Sequence, residues 1–232
     1  MKLSIIIPVL NNWSYTRYVL EALKNLNSDC EVIVIDNAST DDTKVHLPLY
    51  SIKYKNIKFI KNEVNRGFGY ASNQGYKMST GEVVLFLNND IKINDKSLSF
   101  LYNLVDDINK SEVDALFGPT GGYVDPSDNF NFKYETEDPN QKINYMSGWF
   151  LAAKRNTFNQ LIVGTNVGPF DAETYFFYFE DTDLGMLASE KGVKFQLYPV
   201  PIVHLGKKTS SLLNTGKLYL ESKPKFINKW KI

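Results

Sequence analysis

The sequence has few of the features that would place it outside the ordinary class of soluble globular proteins. It contains one cysteine, Cys30, which excludes an internal disulfide. No stretch approaches the ~18 consecutive apolar residues of a membrane-spanning helix. Lys plus Arg and Asp plus Glu both number 26, so no net charge favours nucleic-acid binding. These absences indicate a soluble protein of a reducing compartment, expected to be cytoplasmic.

Two common phosphate-binding motifs are also missing. There is no Gly-x-x-x-x-Gly-Lys-Ser/Thr loop, which weakens the case for a nucleoside triphosphatase of that class. The Gly-Phe-Gly run at 67–69 lacks the third glycine of a dinucleotide fingerprint, because residue 72 is Ser. The apolar stretch near the N-terminus is short, is interrupted by Pro8 and has no small-residue cleavage site after it, so we expect a strand there and not a signal peptide.

The first half of the chain alternates buried strands with helices. Val83–Leu87 has five apolar residues in succession, which predicts a strand buried on both faces, as in a parallel sheet covered by helices. Repeated βα units with short connections predict an α/β fold with a doubly wound, mostly parallel sheet. The predicted strands are Ser4–Val9, Cys30–Ile35, Asn56–Ile60 and Val83–Leu87.

Other local patterns predict how the remaining segments fold. Ser39 and Asp42 have the spacing of a capping box, so a helix should start there. A helical stretch should run from the 67–69 glycines to about Met78. Residues 118–141 are rich in turn formers and predict a loop and a hairpin. A helix is expected from Leu184 to Lys191, followed by a strand over Val193–Leu197.

The last segment, residues 207–232, is basic. It holds seven lysines and one acidic residue, Glu221. Its apolar residues support two alternatives: peripheral contact with an anionic membrane surface, or a terminal helix packed on the domain. These residues are Tyr219, Phe226, Ile227 and Trp230.

Acidic residues follow strands or apolar runs at three places. Asp36 follows the second predicted strand, Asp90 follows the fourth, and the sequence Glu-Asp-Thr-Asp at 180–183 follows an aromatic run. The carboxyl ends of parallel strands meet at one edge of a sheet, where ligands bind in open α/β folds. Carboxylate oxygens suit Mg²⁺ or Mn²⁺, which commonly bridge one or two carboxylates to substrate phosphates. The pattern predicts a metal-assisted site for a diphosphate.

The motifs, taken in order, resemble the inverting family 2 glycosyltransferases of GT-A fold, particularly the rhamnosyltransferase-like members. The resemblance covers about residues 2–211. It rests on Ser4–Val9 followed by Asn11, on Val32–Asp41, on Asn65–Gly75, on Gly168–Asp171 and on Phe179–Gly185.

The resemblance implies one GT-A domain over residues 1–232. Residues 1–92 would form a Rossmann-like half that binds the nucleotide sugar, residues 93–206 the acceptor and catalytic half, and residues 207–232 the basic tail. The implied activity is transfer of a hexose, with rhamnose one candidate, from a UDP or dTDP donor to a glycan or lipid-linked acceptor. Mn²⁺ or Mg²⁺ would assist, and the anomeric configuration would invert.

The resemblance also implies roles for residues that bind the donor and the metal. Asp36 would hydrogen-bond the nucleobase in a pocket lined by Pro8 and Asn11. The Asn-Asn-Asp sequence at 88–90 occupies the place of a metal-binding Asp-x-Asp motif, so Asp90 would be a metal ligand and His204 a second one. The donor-binding set is completed by Arg66, Asn73, Asn88 and Asn89.

For the chemistry, the resemblance implies that Asp181 is the general base, with Glu180 as the alternative. Glu180 and Asp183 are three residues apart and would share a helical face, leaving Asp181 to point elsewhere. Trp149 and Asp183 are expected to bind the acceptor. The aromatic residues Trp149, Tyr175 and Tyr178 could form a platform for a sugar, but core packing would explain them equally well.

Two other functions compete with a transferase. A nucleotidyltransferase would carry a Gly-rich loop with Arg and Lys after the first strand, where this chain has Leu-Asn-Asn-Trp at 10–13. A nucleotide- or glycan-binding module without catalysis is supported only by Asn88 in the place of an acidic residue. Asp90, Asp181 and His204 argue against it.

Overall fold

The computed structural model describes residues 2–93, 98–206 and 215–231. The strands are β1 (Leu3–Val9), β2 (Cys30–Asp36), β3 (Ile57–Lys61), β4 (Val83–Leu87), β5 (Ile91–Lys92), β6 (Ala115–Gly118), β7 (Gly121–Asp125), β8 (Asn131–Thr136), β9 (Tyr145–Met146), β10 (Phe150–Lys154), β11 (Lys194–Leu197) and β12 (Val203–His204). The α-helices are α1 (Trp13–Leu23), α2 (Thr43–Lys53), α3 (Phe68–Met78), α4 (Ser99–Lys110), α5 (Arg155–Gln160), α6 (Glu180–Glu190) and α7 (Thr215–Trp230).

A central sheet of seven strands organises the fold, in the order β11-β6-β10-β4-β1-β2-β3. Strands β4, β1, β2 and β3 are parallel neighbours, and β10 runs antiparallel to both β4 and β6. Strand β11 pairs with β6 in parallel. The mostly parallel sheet predicted from the sequence is confirmed. Strand β10 is the exception, because it is antiparallel to both of its neighbours.

The sheet is buried on both faces, which explains the unbroken apolar runs. In β4, alternate side chains enter opposite cores: Val83, Leu85 and Leu87 join one cluster, while Val84 and Phe86 join the other. The first cluster also contains apolar residues of α1 and α4, and the second contains residues of α3, α5 and α6. Helices therefore cover both faces, as expected for a doubly wound sheet.

Two smaller sheets lie beside the central one. Strands β7 and β8 form the hairpin predicted within residues 118–141, and β9 pairs with β7. Strand β12 pairs antiparallel with β5, so that His204 lies opposite Ile91. This short pairing brings a late part of the chain to the residues that follow β4.

Two predicted helix starts were wrong. Helix α2 begins at Thr43 and the side chain of Asp42 makes no capping bond. The Ser39 hydroxyl instead accepts the Asn11 backbone N–H at 2.7 Å, so a tertiary contact replaces the capping box. Helix α6 begins at Glu180, four residues earlier than expected.

The terminal segment forms a helix that packs on the domain. Phe226 is fully buried in a third apolar cluster, against which Tyr219, Ile227 and Trp230 also pack. Of the two alternatives for the basic tail, the structure supports this packing. Residues 207–214 lie outside the described part of the chain. Among the helices that are described, none is both long and apolar enough to cross a membrane.

Candidate active site

A cleft of about 1070 Å³ opens at the carboxyl edge of the central sheet. The loops that follow β1, β4 and β9, the strand β12 and the start of α6 all contribute to its walls. Eight of the residues expected to form the site line this cleft. They are Pro8, Asn88, Asn89, Asp90, Trp149, Glu180, Asp181 and His204.

Asp90 and His204 form the candidate metal site. His204 Nε2 lies 3.1 Å from Asp90 Oδ1, and the His204 ring stacks on Trp149 with ring centres 4.8 Å apart. The backbone N–H of Leu205 donates to the Asp90 carbonyl at 2.8 Å, which fixes the two segments together. Asn88 lies beside them, with its Nδ2 3.5 Å from His204 Nε2.

The donor set fits a hard divalent cation. Within the described ranges, no cluster of three or more His, Cys, Asp or Glu side chains could hold a metal. Mg²⁺ and similar ions are commonly held by one or two protein ligands and complete their shell with substrate phosphates and water. One carboxylate and one imidazole at 3.1 Å match that arrangement, and imidazole also suits Mn²⁺. Asn88 can add a neutral oxygen but no charge.

Asp181 is held in a defined orientation at the other side of the cleft. Its Oδ2 accepts the Gly148 backbone N–H at 2.9 Å, and its Oδ1 accepts the Thr182 N–H at 2.7 Å. A Cβ at residue 148 would lie 3.3 Å from Asp181 Cβ, so glycine allows this close approach. Burial raises the pKa of Asp181, while these hydrogen bonds oppose the change.

Glu180 differs from its neighbour because one of its oxygens has no partner. The residue is 7% exposed, and its Oε2 is buried without a hydrogen bond. Burial, aided by the charge of Asp181, raises the pKa of Glu180 to about 8. At neutral pH the Glu180 carboxyl is therefore mostly protonated, whereas the hydrogen bonds to Asp181 favour its ionised form. Perturbed carboxyls in a cleft are typical of functional sites.

Several residues expected to bind the donor have structural contacts instead. Asn11 Oδ1 accepts the backbone N–H of Thr40 at 2.7 Å and thereby joins the loops after β1 and β2. Asn73 is buried; its Nδ2 donates to the Phe170 carbonyl at 2.7 Å, and its Oδ1 accepts the Phe170 N–H at 3.1 Å. Neither side chain lines the cleft, and both polar groups of Asn73 are used internally, so donor binding by Asn73 stays a prediction.

The other donor-side residues lie close to the cleft. Asp36 is 2% exposed at the end of β2, and its Oδ1 accepts the Ser39 N–H at 2.8 Å. Asn89 lines the cleft, but its Nδ2 donates to Thr16 Oγ1 at 2.9 Å. Arg66 is exposed, with its guanidinium carbon 4.9 Å from the centre of the Tyr70 ring. The contacts of Asp36 and Asn89 anchor the loops at the sheet edge.

Asp183 lies outside the cleft lining, so its expected contact with the acceptor stays a prediction. It is 2% exposed and accepts hydrogen bonds from the Tyr175 hydroxyl, the Lys229 ammonium and the Trp230 indole. Burial raises the pKa of Asp183, and Lys229 and Trp230 oppose the change. The expectation that Glu180 and Asp183 share a face and Asp181 points elsewhere was wrong: Glu180 and Asp181 both line the cleft, whereas Asp183 bonds to α7.

Sequence reasoning overlooked three residues that shape the cleft. Asn37 Nδ2 donates to Asn65 Oδ1 at 2.7 Å and to the Gly67 carbonyl at 3.1 Å, which connects the loop after β2 to the start of α3. Both asparagines line the cleft, as does Gly148. The sequence indicated a place for Asn37 at the cleft only through its position directly after Asp36, at the end of a strand. The role of Gly148 depends on its contact with a residue 33 positions away.

The sequence was compared with known proteins. A profile of the family described as "Glycosyl transferase family 2" matches residues 4–180, more than half of the chain. The chain belongs to glycosyl transferase family 2. Its sheet, with the cleft at the carboxyl edge, is a GT-A fold.

Individual relatives of this glycosyltransferase family agree with that assignment. A poly(ribitol-phosphate) beta-glucosyltransferase of Bacillus spizizenii is 36% identical over 107 residues, which is 44% of this chain and 17% of the relative. The crystal structure of Staphylococcus aureus TarS residues 1–349 in complex with UDP matches with a TM-score of 0.56 and 26% identity, covering 80% of this chain and 54% of that one.

The mannosyltransferase PcManGT from Pyrobaculum calidifontis, in complex with GDP-Man and Mn²⁺, shares the fold. Its TM-score is 0.59 at 16% identity, and the match covers 85% of this chain and 55% of that one. The first curated relatives are much longer than this chain, which spans less than half of their length.

Proposed function

We propose that this family 2 glycosyltransferase moves a hexosyl group, with rhamnose one candidate, from a UDP or dTDP donor to a hydroxyl of a glycan or lipid-linked acceptor, with inversion. One observation carries the proposal. A single cleft contains the Asp90–His204 pair and the oriented carboxylate of Asp181. The candidate site for a diphosphate and the candidate base thus face the same cleft.

Asp181 acts as the general base. Its two oxygens are held by Gly148 and Thr182, so the carboxylate is oriented before a substrate arrives. It accepts the proton of the acceptor hydroxyl while that oxygen attacks the anomeric carbon, and the nucleotide diphosphate leaves from the opposite face. A positioned base of this kind accelerates a reaction by typically ~10²–10⁴. The mostly protonated state of Glu180 makes it the poorer base of the two at neutral pH.

Asp90 and His204 would hold Mn²⁺ or Mg²⁺. When bound, the cation neutralises the charge of the leaving diphosphate. Among the described residues that line the cleft none is Lys or Arg, which favours a metal cation as the partner of a diphosphate there. Asn88 in the place of an acidic residue lowers the charge that the protein supplies to the metal.

The choice of donor and acceptor rests on the relatives. TarS was crystallised with UDP, and the Bacillus relative is named for glucosyl transfer to poly(ribitol phosphate). We extend the nucleotide class and the polysaccharide character of the acceptor to this chain. Residues 1–232 would act as one catalytic domain in the cytoplasm, where its only cysteine, which is buried, stays reduced.

Thermal unfolding with nucleotides tests the donor site. UDP, dTDP, GDP and CDP are each added with and without Mn²⁺ to the wild type, to Asp90→Ala and to Asp106→Ala, an exposed control on α4. A ligand at a hundred times its Kd stabilises the native state by ~2.7 kcal/mol. We expect a metal-dependent rise in Tm with UDP or dTDP that Asp90→Ala abolishes and Asp106→Ala keeps. No rise with any nucleotide would overturn the proposal.

A further inference from the structure

Helix α7 contacts the segment that leads into α6 from Tyr219 to Trp230. The Ser222 hydroxyl donates to the Phe177 carbonyl at 2.7 Å, and Lys225 Nζ donates to the Thr174 carbonyl at 3.0 Å. Near its end, Lys229 Nζ lies 2.8 Å from both Asp171 Oδ2 and Asp183 Oδ2. Helix α7 thus supports residues 171–183.

The chain enters α6 through an unfavourable turn. Tyr178 and Phe179 have φ angles of 68° and 71°, so two consecutive non-glycine residues lie in the left-handed region. Such residues cost free energy and persist only when surrounding contacts determine them. This turn sets the direction in which Glu180 and Asp181 leave the backbone at the first turn of α6.

Helix α7 supplies contacts that hold this turn. The Phe179 ring packs against the rings of Phe226 and Tyr219, with centres 4.9 and 5.4 Å apart. The Tyr178 ring meets Tyr219 edge-on at 5.9 Å. One turn further along α6, Trp230 Nε1 donates to Asp183 Oδ1 at 2.7 Å. Residues before and after the Glu180–Asp181 pair therefore both contact α7.

We propose that α7 is a positioning strap, whose residues Ser222, Phe226, Lys229 and Trp230 hold the left-handed turn at 178–179 and the first turn of α6 so that Asp181 faces the cleft. This inference rests on the proposed function for its kinetic consequence. Its structural consequence, the ordering of residues 175–183, can be measured without any activity.

The donor side of the cleft should be independent of the strap. Asp90 and His204 are fixed by β5 and β12, and the Asp36 loop is fixed at the end of β2. Side chains of α7 donate hydrogen bonds to Asn131 in the hairpin and to residues 171–183, and its aromatic residues pack on the third apolar cluster, with Trp230 also against the second. Loosening the strap should therefore slow the chemical step without weakening nucleotide binding.

Four variants and one control test the proposal. Trp230→Phe keeps an aromatic ring but removes the indole N–H, and Ser222→Ala removes the hydroxyl that bonds to Phe177. Leu220→Ala is the control, because Leu220 lies on the same helix and is 71% exposed. The ion pairs are tested with Lys229→Met, and Lys229→Arg should partly restore what that variant loses.

Two readouts are compared for each protein. Hydrogen exchange is followed by mass spectrometry for residues 175–183 and, as an internal reference, for 30–36. Release of the nucleotide diphosphate from UDP-glucose, UDP-GlcNAc and dTDP-rhamnose with Mn²⁺ gives kcat and KM. In Trp230→Phe and Lys229→Met we expect faster exchange only at 175–183, a loss of about 10- to 100-fold in kcat and an unchanged KM. Leu220→Ala should match the wild type.

Failures of the two proposals can be told apart. If the wild type releases no nucleotide diphosphate from any of these donors, the proposed function fails, and exchange at 175–183 still tests the strap. If the wild type is active and Trp230→Phe and Lys229→Met keep both its kcat and its exchange rates, the strap is overturned. A rise in KM equal to the loss in kcat, or faster exchange at 30–36 as well, would indicate a general structural role and would also overturn it.

Discussion

Glu180 should make the protein less stable as the pH rises. The carboxyl is buried, its Oε2 has no hydrogen-bond partner, and its pKa is raised from 4.5 to about 8. Between these two values the unfolded chain releases the proton while the folded protein retains it. Because the folded state then binds more protons than the unfolded state, the free energy of unfolding falls with increasing pH. The contribution of protonated Glu180 to the free energy of unfolding is complete below pH 4.5 and is lost by about pH 8.

The size of the effect follows from the width of this pH range. Each pH unit over which the two states differ by one proton changes the free energy of unfolding by about 1.36 kcal/mol. Over about 3.5 pH units the change approaches about 5 kcal/mol, an upper figure because water reaches a cleft more easily than a core. The variant Glu180→Gln has nearly the same shape and no ionisable proton. It should be increasingly more stable than the wild type as the pH rises.

Urea unfolding at pH 5, 6, 7, 8 and 9 measures this difference. We expect the two proteins to be similar at pH 5 and to differ by several kcal/mol at pH 9, with Glu180→Gln the more stable. Glu190→Gln, an exposed position at the end of the same helix, is the matched control and should show no such trend. A difference between Glu180→Gln and wild type that is the same at every pH would refute the reasoning.

Three further substitutions test separate parts of the site and of the fold. Asp181→Asn should lower kcat by ~10²–10⁴ while leaving the thermal shift with UDP unchanged, since the base acts only in the chemical step; a normal kcat would exclude Asp181. Asn73→Ala should destabilise the protein by about 1–3 kcal/mol in urea unfolding without changing UDP affinity, because it leaves the buried Phe170 N–H unpaired; a large loss of UDP affinity would instead support donor binding by Asn73. Gly67→Ala should be strongly destabilising, with a lower urea midpoint than Asn73→Ala, because its φ is 86° and a Cβ would lie 1.9 Å from the Phe176 carbonyl oxygen; a midpoint equal to the wild type would contradict this packing.

The strands of the central sheet could be predicted because each one has a local pattern of apolar residues. Val83–Leu87 was predicted with the same bounds that the structure has, since five consecutive apolar residues suit a strand with a core on each side. The antiparallel insertion of β10 was not predicted. Its pairing with β4 joins residues more than sixty positions apart, and no local pattern encodes the direction in which a buried strand runs.

The cleft was predicted in part, for a similar reason. Residues that follow strands, such as Asp90, meet at the sheet edge because the topology brings every such position there. Asn73 and Asp183 were assigned to ligands because they lie within family motifs. Their side chains are instead used by the Phe170 backbone and by α7, and such partners become visible only in three dimensions.

The helix starts show how tertiary contacts override local rules. Ser39 and Asp42 have capping-box spacing, but the hydroxyl of Ser39 bonds to the backbone of Asn11 across the sheet edge. At α6, the left-handed turn at Phe179 allows the helix to begin with its acidic residues. The aromatic packing of α7 that accompanies this turn could not be inferred from 3.6-residue periodicity.

Product stereochemistry tests the central claim most directly. UDP-α-glucose or UDP-α-GlcNAc is mixed with the wild-type protein and Mn²⁺, and the anomer of the sugar released to water is read by proton NMR before it equilibrates. Attack opposite the nucleotide, with Asp181 as the base, predicts the β-anomer in the wild type and no release in Asp181→Asn. Release of the α-anomer, or equal release by Asp181→Asn, would contradict the account.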